Sequence, residues 1–266
     1  MDNRPVGIFD SGLGGLTALR VFRELMPNEN IIYFADSGRA PYGDRSFDEL
    51  RRIARQDLDF ALSRGAKAVL VACGTISSVA ADVLDAYQIP AMGVLKSTVD
   101  AVSRLDVEKI GIIATPASIR SGAFEREIKK ACPGRMVMAA GCQSFAPLIE
   151  QGHLARSDEL IAGSVREYLA PMKRENVDVI VLGCTHYGII ADAIADYMGG
   201  GTQLLEASRC AAQSMQSRLA ELRIEGFGAK TEYYTSGDPA EFERLSSVFL
   251  GGHAVSGARH VPPMLV

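Results

Sequence analysis

The chain has 266 residues, of which 47% are hydrophobic and 23% charged, and its formal net charge is −4. This length corresponds to one large domain or two small ones, and it suffices to bury a core without disulfides or metals. The acidic balance, with no lysine or arginine cluster on one predicted element, argues against nucleic-acid binding. No apolar run approaches the roughly 20 residues that span a bilayer, and no secretory pattern opens the sequence, so neither a membrane protein nor a secreted one is expected.

Short apolar runs predict strands, and amphipathic stretches between them predict helices. The predicted strands are 6–10, 31–35, 68–73, 91–95, 109–115, 178–184 and 231–237. The predicted helices include 16–26, 47–65, 121–132, 157–173 and 210–223. Alternation of strands and helices, with continuously apolar strands, is typical of an α/β fold with buried, mostly parallel sheets.

The sequence also contains a weak internal repeat. VGIFDSG (6–12) resembles IGIIATP (110–116), and AVLVACGT (68–75) resembles VIVLGCT (179–185). We therefore expect two similar α/β domains related by a pseudo-twofold axis, with the active site in the cleft between them.

Five cysteines are scattered along the chain without a CxxC pair: Cys73, Cys132, Cys142, Cys184 and Cys210. Their odd number and wide spacing argue against a disulfide framework and a structural zinc site, and they fit a reducing cytoplasm, where we expect the protein to work. Two of them, Cys73 and Cys184, occupy matching positions at the ends of predicted strands. Ligands in open α/β sheets bind outside the carboxyl ends of strands, so a functional role is favoured over a place in the core for these two.

The stretch DSGLGGLTALR (10–20) is a glycine-rich turn between a predicted strand and a predicted helix. It matches neither the dinucleotide-binding nor the P-loop pattern. Two interpretations stay open: a plain tight turn, or backbone N–H groups that approach an anionic ligand. Asp10, at the end of a buried strand, needs either a partner or a function.

Two further stretches carry polar groups with possible chemistry. ADSGRAPYGDRS (35–46) is predicted to be a loop. Its polar groups can belong to a site, or the stretch can be a simple surface turn, which proline and glycine permit. GCTHYG (183–188) places His186 two residues after Cys184, so that the imidazole can assist proton movement at the thiol. A cysteine hydrolase also uses such a pair, but it needs one nucleophile where this chain supplies two symmetric ones. Metal binding has less support, because the chain has only four histidines.

Taken together, the motifs of the chain resemble those of the glutamate racemases, in the cofactor-independent aspartate/glutamate racemase superfamily. The motifs are colinear and cover nearly the whole chain: DSGLGGLT (10–17), APYGDRS (40–46), ACGT (72–75), CQSFAPLIEQG (142–152), GCTHY (183–187) and TSGD (235–238). GCTH, in place of the GCTE typical of aspartate racemases, favours glutamate within the superfamily.

This resemblance implies racemisation of L- and D-glutamate by two bases, without a cofactor, to supply D-glutamate for peptidoglycan. Cys73 is expected to act on the D-enantiomer and Cys184 on the L-enantiomer, assisted by Asp10 and His186 respectively. The substrate's carboxylates and ammonium are expected to be held through hydroxyl and backbone N–H groups. The expected substrate-binding residues are Asp10, Ser11, Tyr42, Gly43, Gly74, Thr75, Thr115, Ser118, Thr185 and Glu150. The alternative interpretation of Glu150 is an ordinary charged residue on the surface of a helix.

The resemblance further implies a first domain of residues 1–97 plus 208–266, a second domain of residues 98–207, and a homodimer. Three departures from the family stand out: Gly74 where asparagine is usual, Lys96 and Ser97 where an acid and a proline are usual, and Gly188 in place of proline. Gly74 lies beside a catalytic thiol, and Gly74→Asn is expected to lower the Michaelis constant for glutamate.

Two alternatives remain open. One is a racemase of the superfamily that acts on aspartate or a broader range. The other is a catalytically weakened paralogue that binds an acidic amino acid or a protein partner, since some family members affect DNA gyrase.

Overall fold

The polypeptide forms two parallel β-sheets within residues 2–222 and 226–263, the part of the chain that a computed structural model describes. The first sheet contains β1 (Val6–Asp10), β2 (Ile31–Ala35), β3 (Ala68–Val71), β4 (Ala91–Gly93), β9 (Thr231–Thr235) and β10 (Arg259–His260). The second sheet contains β5 (Lys109–Ala114), β6 (Met136–Gly141), β7 (Val179–Leu182) and β8 (Gln203–Glu206). Every strand pairing among these residues is parallel. The predicted α/β fold is therefore confirmed.

The strand order repeats between the two sheets. The first sheet runs β10-β9-β2-β1-β3-β4 and the second runs β6-β5-β7-β8. If strands are counted from β1 in one sheet and from β5 in the other, both contain the order second, first, third, fourth. The repeat seen in the sequence thus reflects topology, because β1 corresponds to β5 and β3 to β7.

Helices connect the strands and cover the sheets. They are α1 (Leu16–Leu25), α2 (Phe47–Ser63), α3 (Gly74–Val79), α4 (Ala81–Asp85), α5 (Val94–Ser103), α6 (Pro116–Arg120), α7 (Ala123–Ala131), α8 (Phe145–Glu150), α9 (Glu159–Arg174), α10 (Ala191–Met198), α11 (Ala207–Glu221) and α12 (Pro239–Phe249). Short 3-10 turns occupy Ser37–Arg39, Tyr42–Asp44 and Tyr187–Ile190. No described helix has the length and apolar character that spanning a membrane requires.

The core lies between the sheets and their helices. The central strands β1, β2, β3 and β7 are buried along their whole length, which explains why they read as continuous apolar runs. Side chains on α1 and α11 pack with β1 and β2 in one large cluster, whereas α2 packs on the other face of the first sheet.

Several predicted boundaries were too long. The predicted strand 68–73 ends at Val71, because Cys73 is the residue from which α3 starts. The predicted strand 91–95 ends at Gly93, because Val94 opens α5. Each misassigned residue is apolar and buried, so hydrophobicity alone could not separate strand from helix there.

The first sheet draws its strands from residues 6–93 and 231–260, and the second from residues 109–206. The domain boundaries given above, 1–97 plus 208–266 and 98–207, stay a prediction.

Candidate active site

Cys73 and Cys184 follow corresponding strands of the two sheets. Cys73 lies two residues after β3 and directly before α3, and Cys184 lies two residues after β7. Both thiols are free and buried, with 3% and 8% of each residue exposed. The repeated topology therefore places one thiol at the carboxyl end of the third strand of each half.

The two cysteine-bearing loops touch at Gly74. A β-carbon added to Gly74 would lie 2.1 Å from the carbonyl oxygen of Gly183 and 3.8 Å from the Cα atom of Cys184. Backbone atoms cannot yield as a flexible side chain does, so only glycine allows this approach of the loops. The expectation that Gly74→Asn improves substrate binding is thereby reversed, because the new side chain would force the two loops apart.

The surroundings of Cys73 keep its thiol protonated. Burial raises the pKa of Cys73 to about 12, and the charge of Asp10 adds to the rise, while hydrogen bonds from the Ile76 N–H and the Ser11 hydroxyl oppose it. At neutral pH this group is a proton donor in its resting state.

Asp10 ends β1 and is almost fully buried. Its carboxylate accepts from the Gly12 N–H at 3.1 Å and from the Thr185 hydroxyl at 3.5 Å. Burial raises the pKa of Asp10, whereas the charge of His186 and the N–H groups of Gly12 and Gly15 lower it. Asp10 thus connects the environment of Cys73 with the loop that carries Cys184.

His186 lies between Cys184 and Glu150. Its Nδ1 atom is 3.7 Å from the Cys184 sulfur, and its Nε2 atom is 2.9 Å from Glu150 Oε1. Burial alone would lower the pKa of His186, but the hydrogen bonds to Cys184 and Glu150 outweigh burial and raise it to about 10. Cys184 thus has an imidazole as its neighbour whereas Cys73 has the charge of Asp10, so the two thiols have unequal environments.

The structure also defines what holds the His186 ring. Glu150 ends α8, and 48% of its side chain is exposed, so solvent screens its charge in part. The Phe249 ring packs edge-on against the imidazole with 5.4 Å between centroids. Phe249 ends α12, a helix that the sequence patterns did not predict.

Hydroxyl groups from both sheets meet near the thiols. The Thr75 and Thr115 hydroxyls are 2.9 Å apart, and the Thr115 and Ser118 hydroxyls are also 2.9 Å apart. Thr75 belongs to α3 and Thr115 caps α6, so this chain of hydroxyls joins the two halves. The expected binding residues Thr75, Thr115, Ser118 and Thr185 are therefore brought together with Asp10 and the cysteines.

Tyr42 does not offer its hydroxyl to the cleft. That hydroxyl donates to Asp36 and lies 3.3 Å from Asp57, and the side chain is buried. The Tyr42 hydroxyl is therefore engaged by carboxylates inside the protein, and a role of Tyr42 in substrate binding stays a prediction that rests on its backbone. The Tyr42–Asp44 turn can still offer its first N–H groups, which have no partner within such a turn.

The glycine-rich turn serves close packing at Gly14. A β-carbon at Gly14 would lie 2.3 Å from the Thr185 hydroxyl oxygen and 2.5 Å from His186 Nδ1. Thr17, three residues on, donates to the Thr185 carbonyl at 3.1 Å. At Gly14 the missing side chain makes room for the second cysteine's loop rather than for a ligand.

A groove of about 660 Å³ lies elsewhere, along β4 and between α5 and α11. Lys96 and Ser97, two of the departures from the family, line it, and no predicted site residue is among the described residues that do. Within residues 2–222 and 226–263 there is also no cluster of three His, Cys, Asp or Glu side chains that could hold a metal ion.

Comparison with known proteins identifies close relatives over the full length. The sequence pattern of the Asp/Glu/Hydantoin racemase family matches residues 18–215. Glutamate racemase 2 of Caldanaerobacter subterraneus subsp. tengcongensis is 35% identical over 256 residues, which cover 94% of this chain and 95% of the relative. Glutamate racemase of Herpetosiphon aurantiacus is 36% identical over 249 residues, which cover 92% and 97%. The crystal structure of glutamate racemase from Francisella tularensis in complex with D-glutamate superposes with a TM-score of 0.91, at 34% identity and 98% coverage of each chain.

Proposed function

The chain belongs to the Asp/Glu/Hydantoin racemase family, as its motifs predicted, and on this premise we propose that it interconverts L- and D-glutamate without a cofactor. The observation that carries the proposal is the pair of buried thiols, one after the third strand of each half, with unequal partners. Racemisation removes the Cα proton from one face of the substrate and returns a proton to the other. Two acid–base groups on opposite faces meet that need without moving the substrate.

The proposed step starting from L-glutamate uses Cys184 as base and Cys73 as acid. The Cys184 thiolate, next to the His186 imidazolium, takes the Cα proton. The Cys73 thiol gives its proton to the opposite face, so that D-glutamate leaves with Cys184 as a thiol and Cys73 as a thiolate. The reverse reaction, or proton exchange with solvent, restores the starting state, and no electron pair leaves the system.

Asp10 and His186 are proposed to assist these proton transfers. Each is buried within contact range of a thiol loop, and the charge of His186 lowers the pKa of Asp10. An oriented acid or base of this kind typically contributes a factor of about 10² to 10⁴ in rate. Asp10 is proposed to serve Cys73 and His186 to serve Cys184, with Glu150 holding the imidazolium in place.

The substrate's charged groups are proposed to bind to hydroxyl and N–H groups around the thiols. Thr75, Thr115 and Ser118 supply hydroxyls on one side, and Ser11 and Thr185 on the other. Gly43 and its turn offer backbone N–H groups. Hydroxyl and N–H donors of this kind suit an amino acid with two carboxylates.

A direct test is loss of optical activity with purified protein and no added pyridoxal phosphate. We expect turnover of L-glutamate, none or much less of L-aspartate, and abolition of activity by both Cys73→Ala and Cys184→Ala. Cys132→Ala is the matched control, because Cys132 is equally buried but packs among the side chains of the second half, around α7. Turnover of aspartate alone would move the proposal to an aspartate racemase, and turnover of neither would support a binding paralogue. Near-normal activity in either cysteine variant would contradict the two-base scheme.

Three wider statements belong to the same proposal. We propose that the protein is a homodimer, that it works in the cytoplasm and that its D-glutamate is used for peptidoglycan. Their support is the family resemblance and the similarity to glutamate racemases over nearly the whole length. Sedimentation equilibrium tests the first of them, and depletion of the protein with a D-glutamate rescue tests the last.

A further inference from the structure

A cluster of buried polar side chains lies behind the Tyr42–Asp44 turn. Its members, called the Asp36–Asp57 cluster below, are Asp36, Arg39, Tyr42, Gln56, Asp57 and Ser236. Asp36 and Asp57 are almost completely buried, at 0% and 1% exposure. Two carboxyl groups so deep in a protein need compensating charge or protons.

Arg39 compensates only one of the two charges. Its Nε atom donates to Asp36 at 2.6 Å, and one terminal nitrogen donates to Asp57 at 2.8 Å. The other terminal nitrogen donates to Gln56, which is neutral. Among the described side chains of the cluster, one positive charge therefore faces two carboxyl groups. The net charge of the cluster is zero only if one of these carboxyl groups holds a proton.

The hydrogen bonds identify which carboxyl group that is. Asp36 already accepts from Arg39, from the Tyr42 hydroxyl and, at 2.6 Å, from the Ser236 hydroxyl. The Tyr42 oxygen also lies 3.3 Å from Asp57 Oδ2, but one hydroxyl proton cannot serve both carboxylates. A proton on Asp57 resolves this, because Asp57 then donates to the Tyr42 oxygen while Tyr42 donates to Asp36.

The electrostatics agree with that arrangement. Burial, and then the nearby charge of Asp36, raise the pKa of Asp57 well above its usual range, against the lowering effect of Arg39. Asp36 accepts the three hydrogen bonds from Arg39, Tyr42 and Ser236 in this arrangement.

We propose that Asp57 is a neutral carboxylic acid that donates to Tyr42, and that the Asp36–Asp57 cluster thereby positions the Tyr42–Asp44 turn for glutamate. The second half of this inference rests on the proposed function. Tyr42 packs in the same cluster as Cys73, Phe34 and Ile76, so its ring links the turn to the first thiol. From the opposite side, Arg120 of α6 donates to the Gly43 carbonyl at 2.8 Å. The turn is thus fixed from within by the cluster and across the cleft by Arg120.

The proton on Asp57 can be measured without any activity. Protein labelled with carbon-13 at the aspartate carboxyl carbons gives one signal per residue, and the Asp57 signal is the one lost in Asp57→Asn. We expect this signal at the position of a protonated carboxyl group at about pH 7, where an ordinary aspartate is ionised. A signal at the carboxylate position would overturn the inference whether or not the protein is a racemase.

The positioning role is tested by kinetics with glutamate. In Asp57→Asn the amide oxygen can accept from Arg39 and the amide N–H can donate to Tyr42, so we expect KM within about threefold of the original. Asp57→Ala and Tyr42→Phe remove this bond, and we expect each to raise KM about tenfold or more with a much smaller change in kcat. An Asp57→Asn variant as impaired as Asp57→Ala, or unchanged KM in Asp57→Ala and Tyr42→Phe, would overturn the role.

Glu29→Gln is the matched control for general loosening of the fold. Glu29 forms a buried ion pair with Lys67 at 2.6 Å. Glu29 lies just before β2 and Asp36 lies just after β2, so the two sites are about 20 Å apart along this strand. We expect Glu29→Gln to lower the melting temperature and leave KM unchanged. An equal rise of KM in this control would show that the cluster has no positioning role. If the unaltered protein shows no turnover, the proposed function fails, while the carbon-13 measurement still decides the state of Asp57.

Discussion

Cys73 and Cys184 end corresponding strands but have different neighbours. Burial of the Cys73 thiol, and then the charge of nearby Asp10, raise the pKa of Cys73, whereas Cys184 lies 3.7 Å from the His186 imidazole. A symmetric fold thereby gives an asymmetric pair, one thiol with a raised pKa beside a carboxylate and the other beside an imidazole. Racemisation needs this difference at the start of each turnover.

The difference predicts unequal reactivity toward iodoacetamide. At about pH 8 we expect Cys73 to be alkylated at least about tenfold more slowly than Cys184, because alkylation requires the thiolate and burial raises the pKa of Cys73. Peptide mass spectrometry over time measures both rates in one sample. His186→Asn should slow alkylation of Cys184 and leave Cys73 unchanged. Faster modification of Cys73 would contradict the assigned proton states.

Gly74 is the residue at which the structure changes an expectation most clearly. Its missing side chain lets the loops of the two thiols meet at the Gly183 carbonyl. We expect Gly74→Ala and Gly74→Asn each to lower kcat/KM about tenfold or more, because displacement of reacting groups by about 1 Å can cost as much as 10² in rate. Gly163→Ala is the control: it lies inside α9 with nothing near its added methyl, and should be neutral or slightly stabilising. Better glutamate binding in Gly74→Asn would mean that the loops separate freely.

At the scale of elements, α12 reaches from the first sheet to the second thiol's loop. Its last residue, Phe249, is buried against the His186 ring. We expect Phe249→Ala to cost about 3 to 5 kcal/mol through the cavity it leaves. For a protein of this size that corresponds to a melting temperature lower by about 6 to 20 °C. Calorimetry measures the melting temperature, and Phe249→Leu should recover most of the lost stability.

The same variant tests whether α12 matters for catalysis. A loosened imidazole should lower kcat for L-glutamate in Phe249→Ala at a temperature where the protein remains folded. A destabilised variant with unchanged kcat would show that the contact serves stability alone.

The sequence predicted some elements well and others not at all, for physical reasons. Strands buried on both faces, such as β1 and β7, read as apolar runs and were found. The edge strands β6 and β8 are only half-buried, so they lack both a continuous apolar run and clear alternation. The helices α3 and α5 open directly after a strand and were not among the predicted helices, and the first two residues of α5 were assigned to the hydrophobic run of the strand before it.

The site residues that lie within recognisable motifs could be predicted from the sequence. Asp10, Cys73, Cys184, His186 and Glu150 all come from recognisable stretches, and the structure brings them together. The residues that support them were missed: Asp57 lies within an amphipathic helix and Phe249 at the end of another, where their residue types are ordinary. The roles of Asp57 and Phe249 follow only from their tertiary contacts, and a single sequence does not reveal those contacts.

For the molecule as a whole, the proton states of the site couple stability to pH. The pKa of His186 rises from 6.5 in the unfolded chain to about 10 in the fold, because its bonds to Cys184 and Glu150 outweigh burial. The native state therefore binds more protons than the unfolded state, and this stabilisation is fully present below about pH 6.5 and lost as pH rises toward 10. The raised pKa of Cys73 acts in the same direction above about pH 9.

We therefore expect the melting temperature to fall between about pH 6.5 and pH 10, and His186→Asn to flatten that fall. Differential scanning calorimetry across this range measures it. His253→Asn, at an exposed position, should leave the profile unchanged. A profile equally steep in His186→Asn would contradict the bonded imidazolium.

The central claim is that two thiols act on opposite faces of the glutamate Cα atom, and proton exchange in heavy water tests it most directly. With L-glutamate as substrate, we expect early D-glutamate to carry deuterium at Cα while the remaining L-glutamate stays unlabelled, because the incoming proton comes from Cys73 and the departing one goes to Cys184. With D-glutamate the pattern should reverse. Deuterium that appears in the starting enantiomer as fast as in the product, or no exchange with either enantiomer, would contradict the account.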